Sequence, residues 1–494
     1  MKTAIVIGAG IAGLSAALAL HQRGFVPLLV DQDDAPPPLD SNPHDWPRRG
    51  APQVRHPHFF MGRLLKLLQT RHPQLVDAML AAGAWQMPFA STIHPAARGR
   101  YKPEPGDKEL TALVARRTTF ELVMQQYARD IGVAILSHTK VTSLLFAPSM
   151  QGVTVRGVRI VDLHAKAENN AVGLRLDGRE DDGSRELVAD VVIDASGRRG
   201  GFGEQLRAAG AKLSDEYHDS RLIYFTRHYQ FRSDVERPDT EGMVALEFAD
   251  YTVGALPADN GHFTVTIAPT SDNEAMKRGL RHVEYFERIC HAVAPINTWM
   301  NRATAAPVSD IYAFGAMDFF WRTTVADGAP QVRGLYFIGD TVVRTNPKYG
   351  RGCTWSCEQA HALADLLALS LSPDETTIRF AAWLRECFRA DWETMLQLDR
   401  GSRAKYERFT HGAASLGERI VGACNDAFAD DGMKTAMLLD PVVQRAIMTG
   451  YHGLAQMDAW TKRPTIWLRV LWAWLTHARW RIVLEPYRTR ATPE

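Results

Sequence analysis

Short apolar runs alternate with a segment of helical spacing at the start of the chain. Residues 3–8 and 25–31 are apolar runs, and residues 11–23 between them are rich in Ala and Leu. Short apolar runs bounded by glycine or polar residues indicate buried strands, whereas a longer stretch with helical spacing indicates a helix. The pattern predicts a βαβ opening, which implies a parallel sheet covered on both faces.

The pattern changes several times along the next part of the chain. The segment APPPLDSNPHDWPRRGAPQ is dense in proline and polar residues and predicts a long loop. Helical spacing follows at 59–68 and 118–130. Runs rich in β-forming residues then predict a meander that returns to the parallel sheet, and these runs are 152–162, 171–176 and 186–194.

Alternating apolar and polar positions dominate the middle of the chain. Four runs between 221 and 270 predict antiparallel strands, and the run at 335–339 predicts a buried parallel strand. Nearly all of the chain after 353 has helical spacing. We therefore predict an α/β fold in which early and late segments share one sheet, with an antiparallel sheet inserted and helices appended.

Composition and charge narrow the class of protein. The 494 residues are 46% hydrophobic and 23% charged, with a formal net charge of +1, so no basic field favours nucleic acid. Five cysteines are too few for a disulfide framework and indicate a reducing compartment. Cys353 and Cys357 lack a second Cys/His pair that would complete a zinc site, so we expect no metal. The N-terminus has no signal-peptide pattern, and we expect a cytoplasmic protein.

A glycine fingerprint occupies the first predicted strand-to-helix turn. Gly8, Gly10 and Gly13 form GxGxxG, with Ala12 inside the motif, and Asp31 ends the next predicted strand. The first glycine permits the tight turn, the second lets a pyrophosphate approach the backbone, and the third lets helix and strand pack closely. The helix N-terminus then offers free N–H groups to the anion, and the acid is placed to bind ribose hydroxyls. This context predicts a dinucleotide site.

A second strand-to-helix junction lies far along the chain. Gly339 and Asp340 end the late strand, and the turn NPKYGRG at 346–352 precedes a predicted helix at 353–371. A nicotinamide dinucleotide needs no second junction of this kind, whereas FAD is long enough to span both and would place its flavin at the second. Two junctions therefore indicate FAD.

Several motifs together resemble one known family. They are GxGxxG, Arg117 at the start of a helix, DASGRR at 194–199, and GDTVVRTNPKYGRG at 339–352. This set resembles the flavoprotein monooxygenases of the para-hydroxybenzoate hydroxylase fold, over residues 1 to about 400. Within that group, RRGAPQVRHPH, YFTRHYQF and NPKYGRG are most similar to bacterial flavin epoxidases and hydroxylases that act on polyene or polyketide chains.

The resemblance implies a set of cofactor contacts. Asp340 would bind the ribityl chain, and the amide groups around Gly350 and Gly352 would face the pyrimidine edge of the flavin, where they stabilise negative charge. Arg117 would reach the ribose or pyrophosphate, and the backbone at Val141 the adenine. The FAD-binding residues that it implies are Gly8, Gly10, Ala12, Gly13, Asp31, Arg49, Gln53, Arg117, Val141, Asp340, Pro347, Gly350 and Gly352.

Candidates for catalysis and substrate contact are fewer. Arg49 and Lys348 are candidate catalytic residues, because each cation would lie near the flavin, although a solvated turn lysine is an equal alternative for Lys348. Tyr224 and Tyr349 are candidate substrate contacts. Strand alternation places Leu222 and Tyr224 on one face of their strand, without showing which face covers the substrate. His56 and His58 could act as acid or base on a phenol, but we assign neither.

The function implied is an FAD-dependent monooxygenase. It would hydroxylate or epoxidise a hydrophobic polyene, polyketide, isoprenoid or aromatic molecule through a flavin C4a-hydroperoxide, with a dry pocket supplied by the protein. The implied fold is a discontinuous Rossmann-like FAD-binding domain with a β-meander at 1–215 and 325–375. An antiparallel β substrate domain would fill 216–324, and a C-terminal helical region 376–494.

Alternatives remain at this stage. DASG replaces the DG pair of single-component hydroxylases, so reducing equivalents could come from NAD(P)H directly or through a separate flavin reductase. A geranylgeranyl-reductase-like enzyme acting on isoprenoid double bonds shares these motifs. A flavin-dependent halogenase would carry WxWxIP in mid-chain, where this sequence has only WAW at 472–474. A prenyl carrier without catalysis would have a degraded flavin fingerprint.

The tail is rich in tryptophan. Residues 464–484 place Trp467, Leu471, Trp474 and Ala478 on one predicted helical stripe, while interspersed arginines argue against a membrane span. Two interpretations stay open, namely peripheral contact with a membrane and packing as a lid or against a second copy in a homodimer.

Overall fold

The structure is a computed structural model. It describes residues 1–38, 46–148, 152–163, 176–177, 183–232, 244–248, 250–315, 317–412, 415–424, 428 and 431–476.

The described strands, β1 to β23 in chain order, are Thr3–Ile7, Val26–Val30, Trp85–Met87, Ala112–Val114, Ala134–Leu136, Thr139–Ala147, Val153–Asp162, Leu176–Asp177, Ser184–Val188, Val191–Asp194, Ser214–Asp219, Tyr224–Phe231, Val244–Glu247, Tyr251–Pro257, His262–Pro269, Ala305–Pro307, Tyr312–Phe314, Asp318–Thr323, Val325–Ala326, Ala329–Pro330, Val332–Arg333, Leu335–Phe337 and Val343–Arg344. The described helices, α1 to α15, are Ile11–Gln22, Gly62–Arg71, Pro73–Ala81, Pro95–Arg98, Arg117–Asp130, Phe202–Ala208, Glu274–Gly279, Val283–Ala292, Ala294–Trp299, Gly352–Ala368, Pro373–His411, Leu416–Cys424, Met433–Leu439, Pro441–Tyr451 and Pro464–Thr476.

A parallel sheet forms the centre of the fold. Its order is β22-β10-β1-β2-β5, so the late strand β22 returns beside β10, as the sequence predicts. Helices α1, α5 and α10 pack on one side, and strands of the meander β6, β7 and β9 lie on the other. Because both faces are covered, strand side chains such as Ile5, Val6 and Leu28 are almost fully buried. The predicted α/β class and discontinuous parallel sheet are confirmed.

The sequence run at 186–194 forms two strands and not one. Ser184–Val188 belongs to the meander, whereas Val191–Asp194 enters the parallel sheet. The chain turns at Asp190, whose carboxylate accepts a hydrogen bond from the backbone N–H of Thr3 at 2.7 Å. An apolar run carries no marker for such a change of sheet. Of the predicted run 171–176, residues 171–175 lie outside the described residues.

The inserted antiparallel sheet has the order β13-β14-β15-β12-β16, with β17 also paired to β12. Phe225, Val253 and Ile267 point from one face into a core with α7, α8 and α9, where Phe286 and Ile289 are fully buried. Leu222 and Tyr224 lie on the other face, which packs on no helix of that core. This arrangement leaves one side of the sheet facing the parallel-sheet region.

The helical tail differs from its predicted stripe. In α15 the fully buried side chains are Ile466 and Val470, whereas Trp467 and Trp474 of the predicted stripe are half-buried beside Phe428 and Leu471 is 38% exposed. The stripe that buries most surface is set by the neighbouring helices α13 and α14, and a Trp-rich sequence does not reveal which side those helices cover. Ala478 lies outside the described residues. Within the described part of the chain, no helix combines the length and apolar character that a bilayer crossing needs.

Candidate functional site

A single cavity of roughly 600 Å³ joins the two predicted junctions. Gly8 and Asp31 line it at the early junction, and Asp340 and Gly350 line it at the late junction. The carboxyl ends of parallel strands β1, β2 and β22 open onto it, which is where open α/β sheets bind their ligands. The two motifs, more than 300 residues apart, therefore face the same space.

Each glycine of the fingerprint has a distinct environment. Gly8 has φ +99°, and a Cβ there would lie 2.7 Å from the carbonyl oxygen of Ala195. A Cβ on Gly13 would overlap the carbonyl oxygen of Gly8. At Gly10, in contrast, the nearest atom to a Cβ would be 3.9 Å away, so the backbone there is open to the cavity. These are the properties that a tight turn, a close helix contact and a bound pyrophosphate require.

The start of α1 supplies free donors at the same place. Gly10 is the N-cap residue of α1. No side chain caps this helix N-terminus, and the first turn contains no acidic residue. The first-turn N–H groups therefore have no side-chain acceptor and favour an anion. Asp31 accepts hydrogen bonds from the backbone N–H of Ala9 at 2.5 Å and of Asp33 at 2.8 Å. Those contacts hold the loop and leave lone pairs of Asp31 for a ribose.

The loop after β2 places Arg48, and not Arg49, at the cavity. Arg48 is buried, stacks on the Trp46 ring at 4.6 Å and donates to Glu121 Oε2 and the carbonyl oxygen of Ala9, each at 3.1 Å. Arg49 is exposed and does not line the cavity. Arg49, the predicted FAD-binding and catalytic residue, therefore lies outside the cavity, whereas its neighbour Arg48 lies at it. Adjacent arginines point to opposite sides, and only the fold shows which side carries the buried acids.

Arg117 lies at the start of α5 and lines the cavity. Its Nε donates to Glu121 Oε1 at 2.8 Å, and its Nη1 contacts His58 Nε2 at 3.1 Å. His58 Nδ1 contacts the carbonyl oxygen of His56 at 2.9 Å, so Nδ1 must donate and Nε2 must accept from the guanidinium. Burial, and secondly Arg117, hold the pKa of His58 well below its usual range. His58 is thus a neutral residue that orients Arg117.

The late junction is held by Asn346, which is fully buried. Its Oδ1 accepts from the backbone N–H of Lys348 at 3.0 Å, and its Nδ2 donates to Asp399 Oδ1 at 2.9 Å. Gly350 has φ +65°, the left-handed conformation that closes the turn before α10. Gly352 begins α10 without a capping side chain or an acidic residue in the first turn. The free N–H groups at this helix start suit an electron-rich flavin edge.

The remaining sequence-predicted residues fall into two groups. Those that line the cavity are Ala12, Gln53, Val141, Tyr224, Asp340, Pro347, Lys348 and Gly352. Gly13 and Tyr349 do not line it. Gly13 packs below the loop, which fits its predicted role. Tyr349 is 2% exposed and packs in the hydrophobic core beside Phe319, so its predicted substrate contact is wrong.

Lys348 is exposed at the rim of the cavity. Its Nζ lies 3.3 Å from Ser402 Oγ and 5.1 Å from the centre of the Tyr349 ring. Further along the wall, Arg344 donates to Asp318 Oδ2 at 2.7 Å, and Arg198 pairs with the same carboxylate. Both arginines line the cavity, and burial lowers the pKa of Arg344 against the opposing effect of Asp318. Cations therefore line this wall.

The antiparallel sheet covers the cavity with small side chains. Ala245, Gly254 and Thr266 are in register on neighbouring strands β13, β14 and β15, and all three line the cavity. Thr252 and Ala268 form the adjacent row. This is the face that carries Leu222 and Tyr224, so this face of the sheet borders the cavity. Small side chains leave room above the predicted flavin position.

Several cavity residues escaped prediction from the sequence. Phe314 lies on β17, where it pairs across from Tyr224, and Tyr451 ends α14. Phe314 follows no motif, and Tyr451 lies beyond the part of the chain that resembles the family. Neither carried a signal that could have found it. Among the described residues, no group of three or more His, Cys, Asp or Glu is placed to hold a metal ion.

Comparisons with known proteins agree with this geometry. Residues 6–49 match the family model described as an NAD(P)-binding Rossmann-like domain. No curated protein matches the chain significantly. The flavin-dependent halogenase CmlS aligns with 16% identity and a TM-score of 0.59, over 85% of this chain and 69% of that one.

Two further solved structures cover more of their own length. PqsL, a probable FAD-dependent monooxygenase from Pseudomonas aeruginosa, aligns with 12% identity and a TM-score of 0.55, over 82% of this chain and 98% of that one. The myxobacterial chondrochloren halogenase CndH aligns with 17% identity and a TM-score of 0.56, over 96% and 97%. The chain has the fold of flavin-dependent monooxygenases and halogenases.

Proposed function

We propose that this chain is an FAD-dependent monooxygenase that oxidises a hydrophobic small molecule. The observation that carries the proposal is the continuous cavity, which runs from the open glycine of the early junction, past the late junction, to the small-residue face of the antiparallel sheet. Its shape suits a long cofactor with a second ligand beside one end. A site for a nicotinamide dinucleotide alone would need only the first part.

The residues present fit FAD. Gly10 and the start of α1 would hold the pyrophosphate, Asp31 the adenosine ribose, and Asp340 the ribityl chain, while the start of α10 would face the flavin ring. When bound there, FAD would supply the redox and oxygen-transfer chemistry. The protein's own contribution is position, electrostatics and exclusion of water.

The substrate would lie between the late junction and the antiparallel sheet. The wall there combines the small side chains of β13–β15 with the aromatic rings of Tyr224, Phe314 and Tyr451. Such a surface binds an apolar framework through its area. Hydroxylation and epoxidation both fit this wall, and a polyene, polyketide, isoprenoid or aromatic substrate would each be accommodated by its apolar character.

The source of electrons is part of the proposal. DASG at 194–197 replaces the DG pair associated with direct NAD(P)H use, so we propose that a separate flavin reductase serves the chain. Mixing the FAD-loaded protein with NADPH or NADH under anaerobic conditions tests this. Slow bleaching of the flavin that accelerates when a reductase is added supports the two-component arrangement, whereas fast bleaching by the nucleotide alone contradicts it.

The test of the function is oxygen-dependent product formation. The FAD-loaded protein is given a reductase, labelled O2 and a panel of lipophilic alkenes and phenols, with chloride and bromide present. We expect one labelled oxygen atom in the product for each O2 consumed in oxygenation. Saturated product formed without O2 would indicate a geranylgeranyl-reductase-like enzyme, and halogenated product would indicate a halogenase. A protein that releases no flavin on denaturation would favour a carrier.

A further inference from the structure

One histidine faces the substrate part of the cavity. His56 follows the turn Pro52–Arg55, is 5% exposed and lines the cavity. Its ring centre lies 5.3 Å from that of Phe314 and 6.3 Å from that of Tyr224. It is therefore a polar ring set among the aromatic side chains of the apolar wall.

Only one of its ring nitrogens is engaged by the protein. His56 Nδ1 lies 2.9 Å from Thr226 Oγ1, which in turn lies 2.7 Å from Thr266 Oγ1. Over the residues that the structure describes, Nε2 of His56 has no hydrogen-bond partner. Because His56 lines the cavity, this nitrogen is available to form a hydrogen bond with a ligand there.

Neighbouring histidines show the contrast. His58 uses both nitrogens, one toward Arg117 and one toward the carbonyl oxygen of His56. His228 donates from Nε2 to the carbonyl oxygen of Arg55 at 2.9 Å and does not line the cavity. Of these three histidines, His56 alone offers a nitrogen to the cavity.

The protonation state indicates what that nitrogen binds. Burial, with smaller effects of His228 and Arg55, lowers the pKa of His56 to about 3, so the ring is neutral near pH 7. A neutral imidazole has one donor and one acceptor nitrogen. If the Thr226 hydroxyl donates to Nδ1, Nε2 carries the proton and is a donor. If the hydroxyl accepts from Nδ1, Nε2 is an acceptor. A ligand hydroxyl satisfies both cases, whereas a carboxylate or an ammonium group satisfies only one.

We propose that His56 selects substrates that carry a hydroxyl group on an apolar framework, through a hydrogen bond between Nε2 and that hydroxyl. The proposal rests on the monooxygenase function proposed above and narrows its substrate class to phenols and apolar alcohols. Thr226 would be a positioning residue, since it fixes the ring through Nδ1 and is itself held by Thr266.

Binding to matched ligand pairs tests this assignment. The probes are a phenol, a naphthol and a long-chain alkenol, each compared with the hydrocarbon that lacks the hydroxyl. Dissociation constants are measured on the FAD-loaded, full-length protein by perturbation of the flavin absorbance, without reductant. The wild type is compared with His56→Asn, whose amide can still reach Thr226 but has no atom at the Nε2 position. His228→Asn is the matched control, at a histidine that lies on the same strand as Thr226 and does not line the cavity.

We expect the wild type to bind at least one hydroxyl-bearing member about tenfold more tightly than its hydrocarbon, the effect of one neutral hydrogen bond. The ratio of the two dissociation constants, hydrocarbon to hydroxyl-bearing ligand, should fall to about one in His56→Asn and persist in His228→Asn. Flavin content and thermal midpoint are measured for each variant. No preference in the wild type, or an undiminished preference in His56→Asn, would overturn the proposal. If His56→Asn does not fold, Thr226→Val provides the test, and an unchanged preference in it overturns the proposal equally.

The two proposals fail separately. Binding is measured without turnover, so a His56-dependent hydroxyl preference in a protein that never oxygenates would refute the monooxygenase function alone. Oxygenated product formed by a protein without that preference would refute the role of His56 alone.

Discussion

The substitution Gly10→Ala separates ligand binding from folding at the early junction. A Cβ at this position would have its nearest neighbour 3.9 Å away, which is an ordinary distance, so the ligand-free chain should accept it. The same methyl group points into the cavity, where a pyrophosphate would approach the backbone. We therefore expect nearly normal folding and weakened FAD binding.

The expected loss of FAD affinity follows from the lack of room for both the added methyl group and the pyrophosphate. Forcing one extra methyl group into a packed contact costs about 1–3 kcal/mol, which corresponds to a roughly 5- to 150-fold rise in the dissociation constant for FAD. The loss of a glycine N-cap adds an unfolding penalty of roughly 1 kcal/mol or less. FAD binding is measured by titrating the deflavinated protein, and stability by denaturant unfolding.

Two glycines serve as controls. Gly13→Ala should lose both stability and FAD, because its Cβ would overlap the carbonyl oxygen of Gly8. Gly99→Ala should lose neither, because Gly99 has no neighbour within 4 Å of a Cβ and does not line the cavity. A Gly10→Ala variant that binds FAD like the wild type would refute the placement of the pyrophosphate at this turn.

Three further predictions concern stability. Arg48→Ala should lower the free energy of unfolding by about 3–5 kcal/mol by leaving buried carboxylates unpaired, while Arg49→Ala should change it by less than about 0.5 kcal/mol. Equal effects in denaturant unfolding would contradict the buried ion pairs of Arg48. Burial lowers the pKa of His452 from 6.5 to about 4, so the unfolded chain binds the proton more readily and stability falls as the pH drops below 6.5. Between pH 7 and 5 this residue should lower the free energy of unfolding by about 2 kcal/mol. His452→Gln should remove that contribution from the pH dependence measured by denaturant unfolding. Ile466→Ala should destabilise the tail by about 2–5 kcal/mol, whereas Leu471→Ala, at a side chain of the predicted stripe that is 38% exposed, should have a smaller effect on thermal unfolding; the reverse order would favour the predicted stripe.

The early and late junctions could be predicted from local sequence patterns. The turns around Gly8 and Gly350 are strand-to-helix connections whose glycines are required by backbone geometry, so the sequence alone marks them. The returning strand β22 was also predictable, because a short apolar run before an acid fits a buried parallel strand.

Long-range packing decided what the sequence missed. The choice between Arg48 and Arg49 depends on acids from two other segments, and the face of the antiparallel sheet depends on which side α8 and α9 cover. The inward direction of Tyr349 depends on its packing in the core beside Phe319. The role of the tail in membrane contact or dimer formation and the domain boundaries stay predictions.

The most direct test of the central claim is a titration of the deflavinated protein with FAD, ADP and riboflavin. If the two junctions hold opposite ends of one cofactor, each fragment engages only one junction, and FAD should bind at least about a hundredfold more tightly than either. ADP binding as tightly as FAD would show that the late junction contributes nothing, and the account would be contradicted.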